Sequence, residues 1–267
     1  MVWRHNPGVV LALEEAGDGP AVVLLHAGIA DRTMWRGTMR TLAEAGYRVI
    51  AMDLPGFGRS PVAAESDCPW RDVLESCDEL AVDRFAVVGN SFGGAVALRI
   101  AATAPERLTG LVLVSAPPLK LDPSPRLRAI WDDEEEALSE GDIDAAADAV
   151  VEGWTLPDSP PELREQVRAM QSRAFELQLD APEPPEAPDP LEDGPEPLGR
   201  AGVPALVIAG ELDIPDFVAG ATSLAEALDA PEPTVIPGAA HLAPLETPEP
   251  FEQLLTGFLA EHLSAGD

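Results

Sequence analysis

The apolar residues of this chain fall in short unbroken runs rather than at alternate positions. Ala21-Val22-Val23-Leu24-Leu25, Phe85-Ala86-Val87-Val88, Leu111-Val112-Leu113-Val114 and Ala205-Leu206-Val207-Ile208-Ala209 are each bounded by glycine, proline or a polar residue. Continuous hydrophobicity of this kind predicts strands covered on both faces, as in a parallel sheet. Residues 9–13, 48–52 and 233–236 supply further strands, and 33–45, 70–80, 219–228 and 248–263 read as helices. Such alternation implies right-handed crossovers and a doubly wound, mostly parallel α/β sheet.

The pattern breaks at Pro117. Residues 117–200 hold no strand-like run, and helices are expected around 126–138, 143–154 and 161–179. From 181 to 197 proline and acid alternate, a composition that disfavours helix and strand and suggests an extended or mobile connection. The expected organisation is an α/β core formed by residues 1–116 and 201–267, interrupted by an acidic helical insertion at 117–200. An insertion between two sheet strands, at the edge where loops gather, is how a lid over an active site would be built.

Strand 85–88 ends in Gly89-Asn90-Ser91-Phe92-Gly93 and runs into an alanine-rich helix. Gly-x-Ser-x-Gly at a strand-to-helix bend is the pattern of a nucleophile elbow, in which bare glycines let the serine hydroxyl project clear of the sheet. A nucleophilic serine needs a base, and the base an orienting carboxylate. Both follow in the order expected on such a sheet: Asp213 in the loop after strand 205–209, then His241 in the small-residue loop that begins Pro237-Gly238. Asp216 and Glu211 are the alternative carboxylates. His26-Ala27-Gly28-Ile29 closes the first buried strand, so the N–H of Gly28 could face that of Phe92 as an oxyanion hole. His26 itself is expected to hydrogen-bond its loop, while His5 and His262, near the ends of the chain, read as surface residues.

Charge narrows the partners. The 267 residues carry a formal charge of −30, which argues against nucleic acid or an anionic membrane as a partner. Residues 117–200 hold 22 acidic against 7 basic residues, half of that excess. There is no apolar run of about 18 residues, and the N-terminus lacks the apolar stretch of a signal peptide. A cytoplasmic chain, monomer or homodimer, is therefore expected, with Cys68 and Cys77 reduced.

Taken together, His26-Ala27-Gly28, Asp53-Leu54-Pro55-Gly56-Phe57-Gly58-Arg59-Ser60, the elbow, Gly210-Glu211-Leu212-Asp213 and Gly238-Ala239-Ala240-His241 resemble the alpha/beta hydrolase superfamily over nearly the whole chain. The resemblance implies that 117–200 is a helical cap and that no metal or organic cofactor is needed. Ser91 departs from the aspartate nucleophile of epoxide hydrolases and haloalkane dehalogenases, and the sole tyrosine, Tyr47, lies outside the cap. Leu242 stands where hydroxynitrile lyases carry lysine and C–C hydrolases often carry tryptophan. The run Ala239-Ala240-His241-Leu242, with Glu246 and Pro248, is more similar to enol-lactonases and their esterase relatives. The implied activity is hydrolysis of a small carboxylic ester or lactone through an acyl-enzyme on Ser91. C–C bond hydrolysis of vinylogous diketo acids is the alternative. A non-hydrolytic small-molecule binding or biosynthetic protein is the alternative from another class. Ile29, Trp35, Phe92, Trp131 and Trp154 are the candidate pocket walls, and the acidity of the cap favours neutral esters over anions.

Overall fold

Seven strands form one sheet in the computed structural model, which describes residues 11–63, 68–179, 181–182, 184–185 and 187–263. They are β1 Leu13–Ala16, β2 Ala21–Leu25, β3 Arg48–Met52, β4 Phe85–Asn90, β5 Leu108–Val114, β6 Ala205–Gly210 and β7 Thr234–Ile236. Their order across the sheet is β1-β3-β2-β4-β5-β6-β7, with only β1 antiparallel to its neighbour. The central position of β4 places Ser91 at the middle of the carboxyl edge of the sheet.

The helices are α1 Arg36–Glu44, α2 Pro69–Glu79, α3 Phe92–Thr103, α4 Pro125–Ser139, α5 Ile143–Trp154, α6 Pro161–Gln178, α7 Glu196–Gly199, α8 Pro215–Ala227, α9 Ala243–Glu246 and α10 Pro248–His262. Each apolar strand feeds two cores, because successive side chains point to opposite faces. Val22, Leu24, Val88 and Val112 pack with residues of α1 and α10. Val23, Leu25, Val87 and Leu113 pack with residues of α2, α3 and α8. This two-sided burial is the reason the strands read as unbroken apolar runs.

Several boundaries differ from the sequence reading, β5 among them, which starts at Leu108 and not at 111. The first strand starts at Leu13, not in 9–13, and residues 9 and 10 lie outside the described residues. The N–H groups of Leu11 and Ala12 bond to the hydroxyls of Ser76 and Ser60 instead of to a neighbouring strand. Helix 33–45 opens as a 3-10 turn, Arg32–Trp35, capped by the Asp31 side chain, before α1 begins. Helix α8 starts at Pro215 rather than 219, since proline at a first helical position lacks only an N–H that would have no intrahelical partner.

Between β5 and β6 the chain makes α4, α5 and α6. They bury Leu127, Ile130, Val150, Val151, Val167 and Met170 in the same core as α1 and α10. On the outside, Arg168 pairs with Asp144 and Asp148, and Arg164 with Glu152. Such exposed pairs contribute little beside the apolar seam. The acid-proline connection is tied down by an ion pair between Asp189 and Arg99 of α3 and by the buried Leu191. Cys68 and Cys77 are buried free thiols, and burial pushes the Cys77 thiol up to about 12. Among the described residues no helix is long and apolar enough to cross a membrane.

Candidate functional site

Ser91 sits between β4 and α3 with φ 51° and ψ −114°, a left-handed conformation that costs a non-glycine residue about 1–3 kcal/mol. The surroundings enforce it. A Cβ on Gly89 would overlap the carbonyl oxygen of Gly93, and one on Gly93 would overlap that of Leu25. The Ser91 N–H bonds to Val114 O at 2.8 Å and the Gly93 N–H to His26 O at 3.0 Å, so the turn is tied to both neighbouring strand ends.

His241 Nε2 lies 2.8 Å from Ser91 Oγ. Its Nδ1 lies 3.0 and 3.2 Å from the two carboxylate oxygens of Asp213. A carboxylate can only accept, so Nδ1 carries the proton and the Nε2 lone pair faces the serine hydroxyl. Asp213 Oδ1 also accepts the Ile214 N–H at 2.7 Å. Both partner side chains are buried, whereas Ser91 is half-buried. The alternative carboxylates are engaged elsewhere: Asp216 accepts the Ser124 N–H and Glu211 the Gly238 N–H.

The His241 loop is held from several sides. Asn90 Nδ2 donates to His241 O at 3.1 Å, and Glu246 Oε2 accepts from the N–H groups of Ala240 at 2.8 Å and Leu242 at 3.2 Å. The carbonyl oxygens of Ala239 and Ala240 pack where a side chain on Gly210 would stand. Trp154 and Phe217 flank the imidazole, with ring centroids 4.5 and 4.6 Å away.

Gly28 lies against Phe92, a Cβ there falling 3.5 Å from the Phe92 Cβ, so the two backbones adjoin beside Ser91. His26 stands beneath them, fully buried. Its Nδ1 donates to Ala27 O at 2.8 Å and its Nε2 accepts the Leu54 N–H at 2.9 Å. Burial holds its pKa below the usual histidine value, opposed by the bond to Ala27 and the nearby Asp53. Asp53 in turn accepts from the N–H groups of Arg32 and Arg59 and pairs with the Arg32 guanidinium.

The expected pocket walls separate into three groups. Trp154 is on the imidazole. Ile29 and Trp35 are buried, Trp35 completely and against Phe251, so Trp35 packs the core and meets no open space. Trp131 is 39% exposed on α4. A sequence reading passes over Phe217, Phe57 and Asn90. Phe57, in the loop after β3, stacks near both His26 and Phe92. The available signal was position, since Asn90 precedes the serine and Phe57 lies within the loop that follows β3.

Trp154, Asp213, Ile214, Ala240 and His241, with the exposed Arg126, line a crevice of only about 10 Å³. A larger hollow, about 470 Å³, is lined by Pro69, Trp70, Phe92, Ala95, Val96 and Arg99 among others, and its named walls include none of Ser91, Asp213 and His241. Arg99 lies over the Trp70 ring at 6.0 Å and is paired with Asp189, so this hollow has no unopposed cation among its named walls.

A family model for the alpha/beta hydrolase fold matches residues 20–140. The chain is 38% identical over 110 residues to the pimeloyl-[acyl-carrier protein] methyl ester esterase of Aeromonas hydrophila, a stretch covering 40% of this chain and 42% of that protein. It is 40% identical over 107 residues to the 2-hydroxy-6-oxo-6-phenylhexa-2,4-dienoate hydrolase of Comamonas testosteroni, covering 38% and 37%. The chain thus spans about two fifths of the length of the curated relatives it matches. A solved thermophilic esterase from Thermogutta terrifontis, with malate bound, superposes with a TM-score of 0.74 at 27% identity, covering 95% of this chain and 94% of that one. With that sheet order, that serine turn and these matches, the chain has the alpha/beta hydrolase fold.

Proposed function

We propose that this protein hydrolyses small, uncharged carboxylic esters or lactones through an acyl-enzyme on Ser91. The observation that carries the reading is the continuous contact from Asp213 through His241 to the Ser91 hydroxyl, 3.0 and then 2.8 Å. In this reading Ser91 Oγ attacks the acyl carbon while His241 Nε2 takes its proton, and Asp213 stabilises the imidazolium. The carbonyl oxygen gains the negative charge and is held by the N–H groups of Gly28 and Phe92, donors of a kind that contribute about 3 kcal/mol each to the transition state. The tetrahedral intermediate collapses, the C–O bond breaks, and His241 returns the proton to the leaving alcohol. Water then attacks the acyl-enzyme with His241 as base, and the acid leaves with Ser91 restored.

Helices α4, α5 and α6 act as the cap, since Trp154 of α5 reaches His241 itself. The acidity of residues 117–200, 22 acidic against 7 basic, supports an uncharged substrate. Esterase relatives support the ester; the activity of the whole protein rests on the site.

C–C hydrolysis of vinylogous diketo acids is the second reading, favoured by the Comamonas relative and by Arg126, a cation lining the His241 crevice that could meet a carboxylate. A fluorophosphonate should label Ser91, and Ser91→Ala should lose both labelling and turnover of p-nitrophenyl acetate. A wild-type chain that resists the label would exclude the activated serine and leave a binding protein. Faster turnover of a vinylogous diketo acid than of short esters would reverse the ranking.

A further inference from the structure

We infer that Glu246 is a positioning residue for His241, holding the amides on both sides of the histidine so that its imidazole stays in line with Ser91 and Asp213 as the proton is taken and returned. The inference rests on the acyl-transfer reading of the site. One oxygen, Oε2, accepts from Ala240 N–H and Leu242 N–H, so the residue before and the residue after the base are fixed by a single atom. The Glu246 N–H also donates to Leu242 O, which closes a ring between the two residues and sets where the carboxylate can stand. Together with the Asn90 bond to His241 O, three successive backbone groups of the loop are pinned by side chains.

The other oxygen, Oε1, is buried with no hydrogen-bond partner among the described residues. Leaving a buried oxygen unpaired is costly, so Glu246 stands where the amide grip requires it and not where its own solvation would put it. Burial pushes the Glu246 carboxyl up. The Ala240 amide and His241 draw it back down, Asp213 pushes it up again, and the Leu242 amide lowers it. His241 and Asp213 are thus the titratable neighbours that bear on it.

The test compares wild type with Glu246→Gln and Glu246→Ala on p-nitrophenyl acetate from about pH 5 to about pH 9, with rates expressed per serine titrated by fluorophosphonate. Titration removes any loss of folded protein, which the Gln variant invites by placing an amide nitrogen at the unpartnered site. Glu246→Ala is expected to lose about tenfold or more in kcat with KM little changed, as a displaced base does. Glu246→Gln, which keeps an acceptor oxygen, should recover part of that loss. Full kcat in Glu246→Ala, or a Glu246→Gln variant no faster per titrated serine than Glu246→Ala, overturns the assignment. Wild type that fails to take the label removes the acyl-transfer reading itself, a distinct result.

Discussion

His26 and His241 both lie buried in loops of small residues near the carboxyl edge of the sheet, each with its two ring nitrogens engaged. The partners differ. His26 bonds a backbone carbonyl and a backbone N–H, groups that neither take nor release a proton, so its neutral Nδ1–H tautomer is fixed. His241 bonds a carboxylate on one side and a hydroxyl on the other, groups between which a proton can move. Burial and bonding are therefore common to both, and the chemistry of the partners separates a structural pin from the base we propose.

That contrast can be broken at either end. Removing the base should have the largest effect: His241→Ala should lower ester turnover about 10⁴-fold or more while leaving the thermal transition nearly in place. Asp213→Asn should follow at about 10³–10⁴-fold, because the amide presents the wrong group to Nδ1 and turns the imidazole to the unproductive tautomer. At the other histidine the loss should fall on stability. His26→Asn should cost about 1–3 kcal/mol in urea denaturation, since Leu54 N–H and Ala27 O lose their buried partners.

The smallest effect is a slope. With a folded pKa held below its unfolded value, His26 contributes stability that is present above about pH 6.5 and is lost as pH falls through the folded pKa. The unfolded chain binds more protons in that window, so stability rises with pH there. A denaturation series should therefore show wild type losing more stability than His26→Asn on acidification below about pH 6.5. Equal slopes would mean that His26 is not kept neutral by the fold.

The two histidines also show what a linear reading reaches. The strands were readable because burial on both faces demands unbroken apolar runs, and the Ser91, Asp213 and His241 spacing was readable because strand ends converge on one edge. Contacts made across the insertion were not. Nothing in the composition of α5 marks Trp154 as the residue that meets His241, as against Trp131, since which face of a helix turns inward depends on its packing against α6 and the core. Trp35 carried the same apolar signal as Trp154 yet lies sealed against Phe251. Glu246 was visible as part of a pattern, but its grip on two amides follows from the tight path of α9 behind the loop.

One bare backbone position has a further consequence. Because Ala239 and Ala240 occupy the space that a side chain on Gly210 would need, the end of β6 and the loop bearing His241 interlock. Asp213 leaves from the same strand end, so the two loops cannot drift apart or be exchanged one at a time. A protein engineer grafting this chemistry onto another scaffold would have to carry the strand end and both loops as one cassette; three side chains copied into foreign loops would inherit the residues without the clearance that keeps them in register.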